Sequence, residues 1–504
     1  MRTAVTCPEL SNYIGNEFVS PLVSDQPILN PSDGTLLGYQ AGSSRVAMEA
    51  ALRCAADCHH SGEWFARGEK RADVLLDVAA RVAQQVDELA VLESLNTGVI
   101  LAQTRSLIGL LPAIFKAAAA QLLAHPDCNL IGRDQSVELW HKPWGPALCL
   151  APWNSPAPIG AHKLASALAA GAPVILKPSE FTPYTSQRLF AILAACDLPL
   201  GAAQLVHGSG SEGAWLAADS RIKAVSFTGG LKAGQSVART CMQDMKPVQL
   251  ELGGHNPFII LPDADLESVT SGLIAGLTTL NGQWCRAVGR IFVPEGMKAA
   301  VIDGFLRRAA TLRIGAATDP AADMGPLFSR QHLEHIRATI AQLEIQGAKR
   351  HPVQSSLPVA GSYMAPELLS GLSLRDDHTE LFGPVAVVHS YSDTEALSAM
   401  VNATKFGLAA YIYGSNHQQM YQLARRLDVG STKINGVTIT SLSPSAPRAA
   451  WGVSGLGEEG AFETFRFFQG SSVIGSVAKY TLASRAPEGM ARGIYAVQYV
   501  VRRS

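Results

Sequence analysis

The chain has 504 residues, 47% of them hydrophobic and 16% charged, with a formal net charge of −1. That length predicts two or three domains, and a charged fraction below the ~25% of an average globular protein predicts a large core and further surface buried against other subunits. Near-neutral charge without a basic patch excludes the electrostatic footprint of a nucleic-acid binder. No run reaches the ~20 apolar residues of a membrane helix.

In chain order, the first ten residues lack the apolar stretch of a signal peptide. Asn30-Pro31-Ser32-Asp33-Gly34 opens a turn-rich connection with short strands over residues 30–42. Residues 46–95 carry Ala, Leu and Val at helical spacing. Within them Cys54-x3-Cys58-His59-His60 puts two thiols on one helix face, but no second ligand pair accompanies it, so no metal is expected there. The eight cysteines (Cys7, Cys54, Cys58, Cys128, Cys149, Cys196, Cys241 and Cys285) are scattered over a large chain. That usage predicts reduced thiols and a cytoplasmic protein, since disulfide frameworks pack cysteines densely into small domains. Residues 110–124 are the most apolar run, interrupted by Pro112, Lys116 and Gln121, and read as an alanine-rich helix.

From residue 146 short apolar runs alternate with helical ones. Strands are predicted at 147–150, 173–177, 203–207 and 223–228, with helices at 157–170 and 183–196. This alternation predicts a parallel, doubly wound α/β sheet with a nucleotide site at the carboxyl ends of its strands, where Lys177 and Thr228 fall. Strands at 248–252 and 257–261 flank Gly253-Gly254, and a second βα stretch over 262–440 includes strands at 290–293, 385–390 and 409–413. Beyond Ser471 the tail holds an apolar, strand-like run at 494–501 before Arg502-Arg503. It is expected to pack, because an unpaired apolar strand invites aggregation.

Four short motifs carry chemistry. Gly282-Gln283-Trp284-Cys285 presents a lone thiol, and Glu251-Leu252-Gly253-Gly254 places a carboxylate on a glycine turn. Together they suggest a nucleophile and its base. Pro152-Trp153-Asn154 offers an amide donor, and Lys177-Pro178-Ser179-Glu180 offers polar groups just past a strand. Each is weak alone, but the set in this order, across residues 12–470, resembles the NAD(P)-dependent aldehyde dehydrogenase superfamily.

The resemblance implies a Rossmann-like parallel-sheet cofactor domain (1–125 and 146–252, with 447–465 returning to it), an α/β catalytic domain (253–446) and a small β oligomerisation extension (126–145 and 466–504), of which 135–141 has strand character. It implies a homodimer or homotetramer, an aldehyde substrate, and NAD in preference to NADP. In roles, it makes Cys285 the nucleophile that forms a thiohemiacetal, Asn154 with the Cys285 backbone N–H the oxyanion donors, and Glu251 the base that hydrolyses the thioester. Trp153, Lys177, Ser179, Glu180, Phe227, Gly229, Gly230, Gly234, Leu252, Glu380 and Phe382 match the family's cofactor contacts, with Glu180 on the adenosine ribose and Glu380 on the nicotinamide ribose. His162, Trp284, Thr438, Thr440 and Trp451 match its substrate pocket, which suggests an aromatic, polar-substituted or amino aldehyde.

The chain departs from the family pattern at His255 (usually lysine), at Gly230 (often serine), at Trp284, and at Ala449-Ala450-Trp451-Gly452-Val453-Ser454-Gly455, which lacks the family's lysine. CoA-acylating chemistry and a non-catalytic NAD-binding role are the alternative expectations.

Overall fold

The computed structural model describes residues 5–132, 135–374 and 380–476. They form two compact units, one of residues up to His125 together with Lys142–Gly470, the other of Pro126–His141 with the described residues from Ser471.

The first unit holds two large sheets. One has eight strands in the order Glu17–Val19, Asn12–Ile14, Ala203–Leu205, Val174–Lys177, Ala147–Leu150, Ala224–Thr228, Val248–Glu251, Gly455–Leu456. Its five central strands are parallel, and the two ends are antiparallel. Ala147–Leu150 and Val174–Lys177 are buried along their whole length, as expected of strands covered on both faces. The other sheet has seven strands in the order Lys349–His351, Glu367–Ser370, Val385–Tyr391, Val288–Pro294, Asn256–Ile260, Ala409–Tyr413, Ser431–Ile434.

The helical pattern of 46–95 resolves into Arg45–Ser61, Gly68–Ala83 and Val86–Thr97, with a short turn of helix at Glu63–Ala66. Gly62, at φ 68°, ends the first of these in the left-handed region where glycine carries no Cβ penalty. Leu101–Ala124 is the one stretch among the described residues long and apolar enough to cross a membrane. It is two helices, Leu101–Ile108 and Leu111–Ala124. The second buries Leu111, Phe115 and Leu122 and packs on Gly68–Ala83 and Pro156–Ala169.

In the second unit Cys128–Ile131 pairs with the strand Val137–Pro143, within a three-stranded sheet that also takes in Gln469–Gly475. The apolar run 494–501 lies outside the described residues.

Candidate active site

Strand register builds the site floor. Leu150 lies opposite Lys177 and Phe227, and Thr228 lies opposite Glu251, so all five reach the same carboxyl edge of the first sheet. The chain then turns through Gly253-Gly254 into Asn256–Ile260 of the second sheet, and Asn256 pairs with Val288, just beyond Cys285. One cleft of about 770 Å³ runs along this edge and is lined by Cys285, Glu251 and Asn154 together. Trp153, Lys177, Ser179, Glu180, Phe227, Gly229, Gly230, Leu252, Glu380 and Phe382 line it as well.

Gly234 does not. A Cβ there would collide with the Leu252 side chain, so this glycine lets the helix Leu231–Gln243 close onto the Glu251 turn.

The turn before Cys285 is strained and firmly held. Leu280, Asn281 and Gly282 have φ of 48°, 58° and 76°, a left-handed run that costs an L-residue about 1–2 kcal/mol. Asn281 tolerates that region and is fully buried. Its Nδ2 donates to the carbonyls of Gly98 and Pro326, both at 2.8 Å, and its Oδ1 accepts from Gly325 N–H at 2.9 Å. Gln283 Oε1 accepts from Phe328 N–H. On the other side, Asn256 Nδ2 donates to the carbonyls of Cys285 and Ala287 at 2.9 and 2.7 Å. Asn281 and Asn256 were not singled out in the sequence; asparagine just before the glycine of the Cys285 motif is the one local signal that marks the first.

Asn154 donates from Nδ2 to Gln283 O at 2.9 Å. An amide nitrogen carries two hydrogens, so one remains to donate. Burial, opposed by Arg286 and reinforced by the charges of Glu251, Glu380 and Glu459, pushes the Cys285 thiol up to about 12. Burial and the charge of Glu459 push Glu251 up to about 7 against Arg286, Arg448 and Lys163. Glu251 Oε1 is buried without a hydrogen-bond partner, and Oε2 lies 3.6 Å from Arg286 Nη2. Arg286 follows the thiol directly in sequence, and sequence reasoning passed over it.

At the far end of the cleft, Lys177 Nζ donates to Gly208 O at 2.5 Å and lies 3.9 Å from Glu180 Oε2. Thr228 Oγ1 is buried there without a partner. Trp153 stacks on Phe328 with ring centroids 3.9 Å apart and meets Phe382 edge-on. Glu380 Oε1 accepts from Gly254 N–H at 3.0 Å, and burial raises this carboxyl to about 7.

A sequence profile of the aldehyde dehydrogenase family matches residues 19–474. The chain belongs to the aldehyde dehydrogenase family. It is 34% identical over 470 residues to betaine aldehyde dehydrogenase 2 of Rhizobium meliloti, covering 91% of this chain and 96% of that one. It is 30% identical to a probable NADP-linked succinate-semialdehyde dehydrogenase of Sinorhizobium fredii, over 90% of this chain and 94% of the relative. In structure it superposes on the betaine aldehyde dehydrogenase of Staphylococcus aureus, solved with NAD+, at a TM-score of 0.89 and 26% identity, covering 95% of this chain and 97% of that one. An aldehyde dehydrogenase from Bacillus cereus, also an NAD+ complex, gives 0.87 and 27%, over 93% and 96%.

None of the five residues expected in the aldehyde dehydrogenase substrate pocket lines the cleft. Trp284 is 5% exposed and packs into the core of the second sheet with Val99, Leu273 and Leu277; its large apolar ring is buried where a pocket wall was expected. His162 Nε2 bonds Thr464 Oγ1 at 3.0 Å, and burial lowers it to about 3, so it is uncharged. Thr438 and Thr440 are exposed, with their hydroxyls 2.9 Å apart. Trp451 is half exposed on a short strand paired with Phe406–Gly407.

Proposed function

We propose that this aldehyde dehydrogenase converts an aldehyde, NAD+ and water to a carboxylate, NADH and two protons, with Cys285 as nucleophile, Asn154 and the Cys285 N–H as oxyanion donors, and Glu251 as base. The observation that carries this is Glu251 Oε1, buried without a partner on the wall it shares with Cys285. A neutral thiol is a poor nucleophile, and a carboxylate titrating near 7 is suited to take its proton. Attack on the carbonyl carbon then forms the thiohemiacetal, whose oxyanion the two N–H groups stabilise. The same carboxylate later takes a proton from the water that cleaves the thioester.

The cleft suits a dinucleotide. At Gly230 a Cβ would meet nothing within 4 Å, so the wall is open there for phosphate, Gly229 beside it makes room for the Phe227 ring, and Thr228 Oγ1 is buried without a partner on the same wall. Lys177, Ser179 and Glu180 would hold the adenosine ribose, with Glu180 repelling a 2′-phosphate and so favouring NAD over NADP. Glu380 and Phe382 would hold the nicotinamide side, Glu380 on its ribose. When bound, the cofactor supplies the two-electron oxidant. The two relatives solved with NAD+ support that choice.

The first sheet would serve as the cofactor domain and the second as the catalytic domain. The exposed Leu130, Ile131, Val473 and Ile474 support an oligomerisation role for the three-stranded sheet, in a homodimer or homotetramer. Eight free thiols fit a reducing, cytoplasmic setting. The test is NADH formation from an aldehyde panel with Cys285→Ala beside it. Activity with NAD that disappears in the variant is the expected result; acyl-CoA formation on adding CoA would replace this reading with the acylating one.

A further inference from the structure

Arg286 directly follows Cys285, and the second sheet holds it at both ends. The Tyr411 hydroxyl donates to its carbonyl at 2.7 Å, and its own Nη1 donates to the Ser431 hydroxyl at 3.1 Å. Tyr411 and Ser431 stand on adjacent parallel strands, with Ala409 opposite Ser431. Held so, the guanidinium reaches the other sheet: its Nη2 lies 3.6 Å from Oε2 of Glu251, the last residue of Val248–Glu251. Both side chains are buried; Glu251 lines the cleft and Arg286 does not.

A separation of 3.6 Å makes an ion pair without a hydrogen bond, and that distinction matters for a base. A bidentate guanidinium–carboxylate pair would occupy both oxygens and hold the carboxyl well below its ordinary range, leaving an anion too weak to take a proton from a thiol. With no cation at all, burial would favour the neutral acid. The loose pair lies between these limits. Oε2 faces the charge, while Oε1 is buried with no hydrogen-bond partner and keeps its lone pairs free. The other charges acting on Glu251 are Lys163, Arg448 and Glu459, and Glu459 engages both of those cations, at 2.7 and 3.1 Å. Arg286 is the cation paired with Glu251 itself. Its charge also favours the ionised form of Cys285, where Glu251, Glu380 and Glu459 oppose it. It therefore stabilises the negative charge both before and after a proton passes from Sγ to the carboxylate. Lys433, whose ammonium donates to the Thr438 and Thr440 carbonyls, feels the Arg286 charge in turn.

We propose that Arg286 is a positioning residue for the Glu251–Cys285 pair: it pairs loosely with Glu251 Oε2, so that the carboxylate stays an ionised base with Oε1 free to take the proton of Cys285 and, later, of water. Since Arg286 lies off the cleft wall, it acts through these two side chains and not on a ligand.

The inference rests on the proposed aldehyde oxidation, and the test separates the two. Two variants remove the charge: Arg286→Met, and Arg286→Gln, whose amide can still bond the Ser431 hydroxyl and hold the loop. Arg286→Lys keeps the charge. kcat is measured against pH with NAD and the best aldehyde of a panel, and alkylation of Cys285 by uncharged iodoacetamide is measured without substrate. Removing the cation raises the pH at which Glu251 ionises. The acid limb of the kcat profile is therefore expected to move up by about one unit or more in both charge-removing variants and to return close to the parent position in Arg286→Lys, with KM for NAD changed less than threefold. Alkylation at neutral pH is expected to slow at least fivefold in the charge-removing variants and to recover in Arg286→Lys. A profile lowered equally at every pH, with the limb unmoved, is what a merely structural arginine would give; it overturns the proposal and leaves aldehyde oxidation standing. So does a shifted limb that Arg286→Lys fails to restore. If the parent protein makes no NADH from any aldehyde, the oxidation reading falls, and the alkylation rates alone decide on Arg286: equal rates in the parent and the charge-removing variants overturn its role, and a loss restored by Arg286→Lys sustains it.

Discussion

Glu251 and Cys285 line one cleft, and their protonation states are set by burial. Burial raises both, the thiol to about 12 and the carboxyl to about 7. The carboxyl therefore ionises first as pH rises, and it is the base of the pair. Below about 7 it holds its proton and accepts none, so kcat is expected to fall on the acid side of that value and level off above it, as a pH–rate profile would show. Glu251→Gln is expected to lower steady turnover by about 10²–10⁴-fold, the usual worth of a positioned base. A burst of NADH equal to the enzyme concentration would show the thioester accumulating; its absence would place the loss before the thioester. Asn154→Ala is expected to lower kcat by about 10²–10³-fold, the loss seen when one oxyanion donor is removed.

At the scale of elements, the strained turn over Leu280, Asn281 and Gly282 decides where the thiol points. Its left-handed backbone is held by one fully buried asparagine, which donates to the Gly98 and Pro326 carbonyls and accepts from Gly325 N–H. Asn281→Ala would leave those backbone groups without partners, at a cost of about 3 kcal/mol in stability, since each buried orphan costs about 1–3 kcal/mol. Thermal unfolding would report that loss, and slower alkylation of Cys285 in the still folded variant would report the misplaced thiol. The central strands and most helices were legible in the sequence within a residue or two, because burial on both faces writes long apolar runs. The breaks at Gly62 and after Ala83 within the predicted helical stretch were not, since helical periodicity continues across them. Gly234 lies off the cleft wall and against Leu252; glycine's two uses, approach to phosphate and approach to a side chain, look alike in sequence.

At the scale of the molecule, the cleft lies along the carboxyl edge of one sheet and is closed by residues of the other. A ligand there stabilises the native state by about 2.7 kcal/mol at a hundred times its dissociation constant. NAD is expected to raise Tm more than NADP at equal concentration, and Glu180→Ala to narrow the gap. Equal shifts in the parent protein would remove Glu180 as the discriminator. Deleting 471–504 is expected to lower the oligomeric state on a sizing column, since the exposed Val473 and Ile474 go with it; an unchanged mass would detach that segment from assembly.

The sequence by itself determined the parallel α/β architecture and the family, and pointed to Cys285, Glu251 and Asn154, which the fold brings to one cleft, because apolar periodicity and short motifs are local properties. Tertiary structure alone decided the surroundings of those residues. Lys163, Arg286 and the Arg448–Glu459 pair come from segments far apart in the chain, and only folding brings their charges to bear on Glu251. Trp284 makes the same point in reverse, since adjacency to the nucleophile in sequence says nothing about which side of the backbone its ring is buried on.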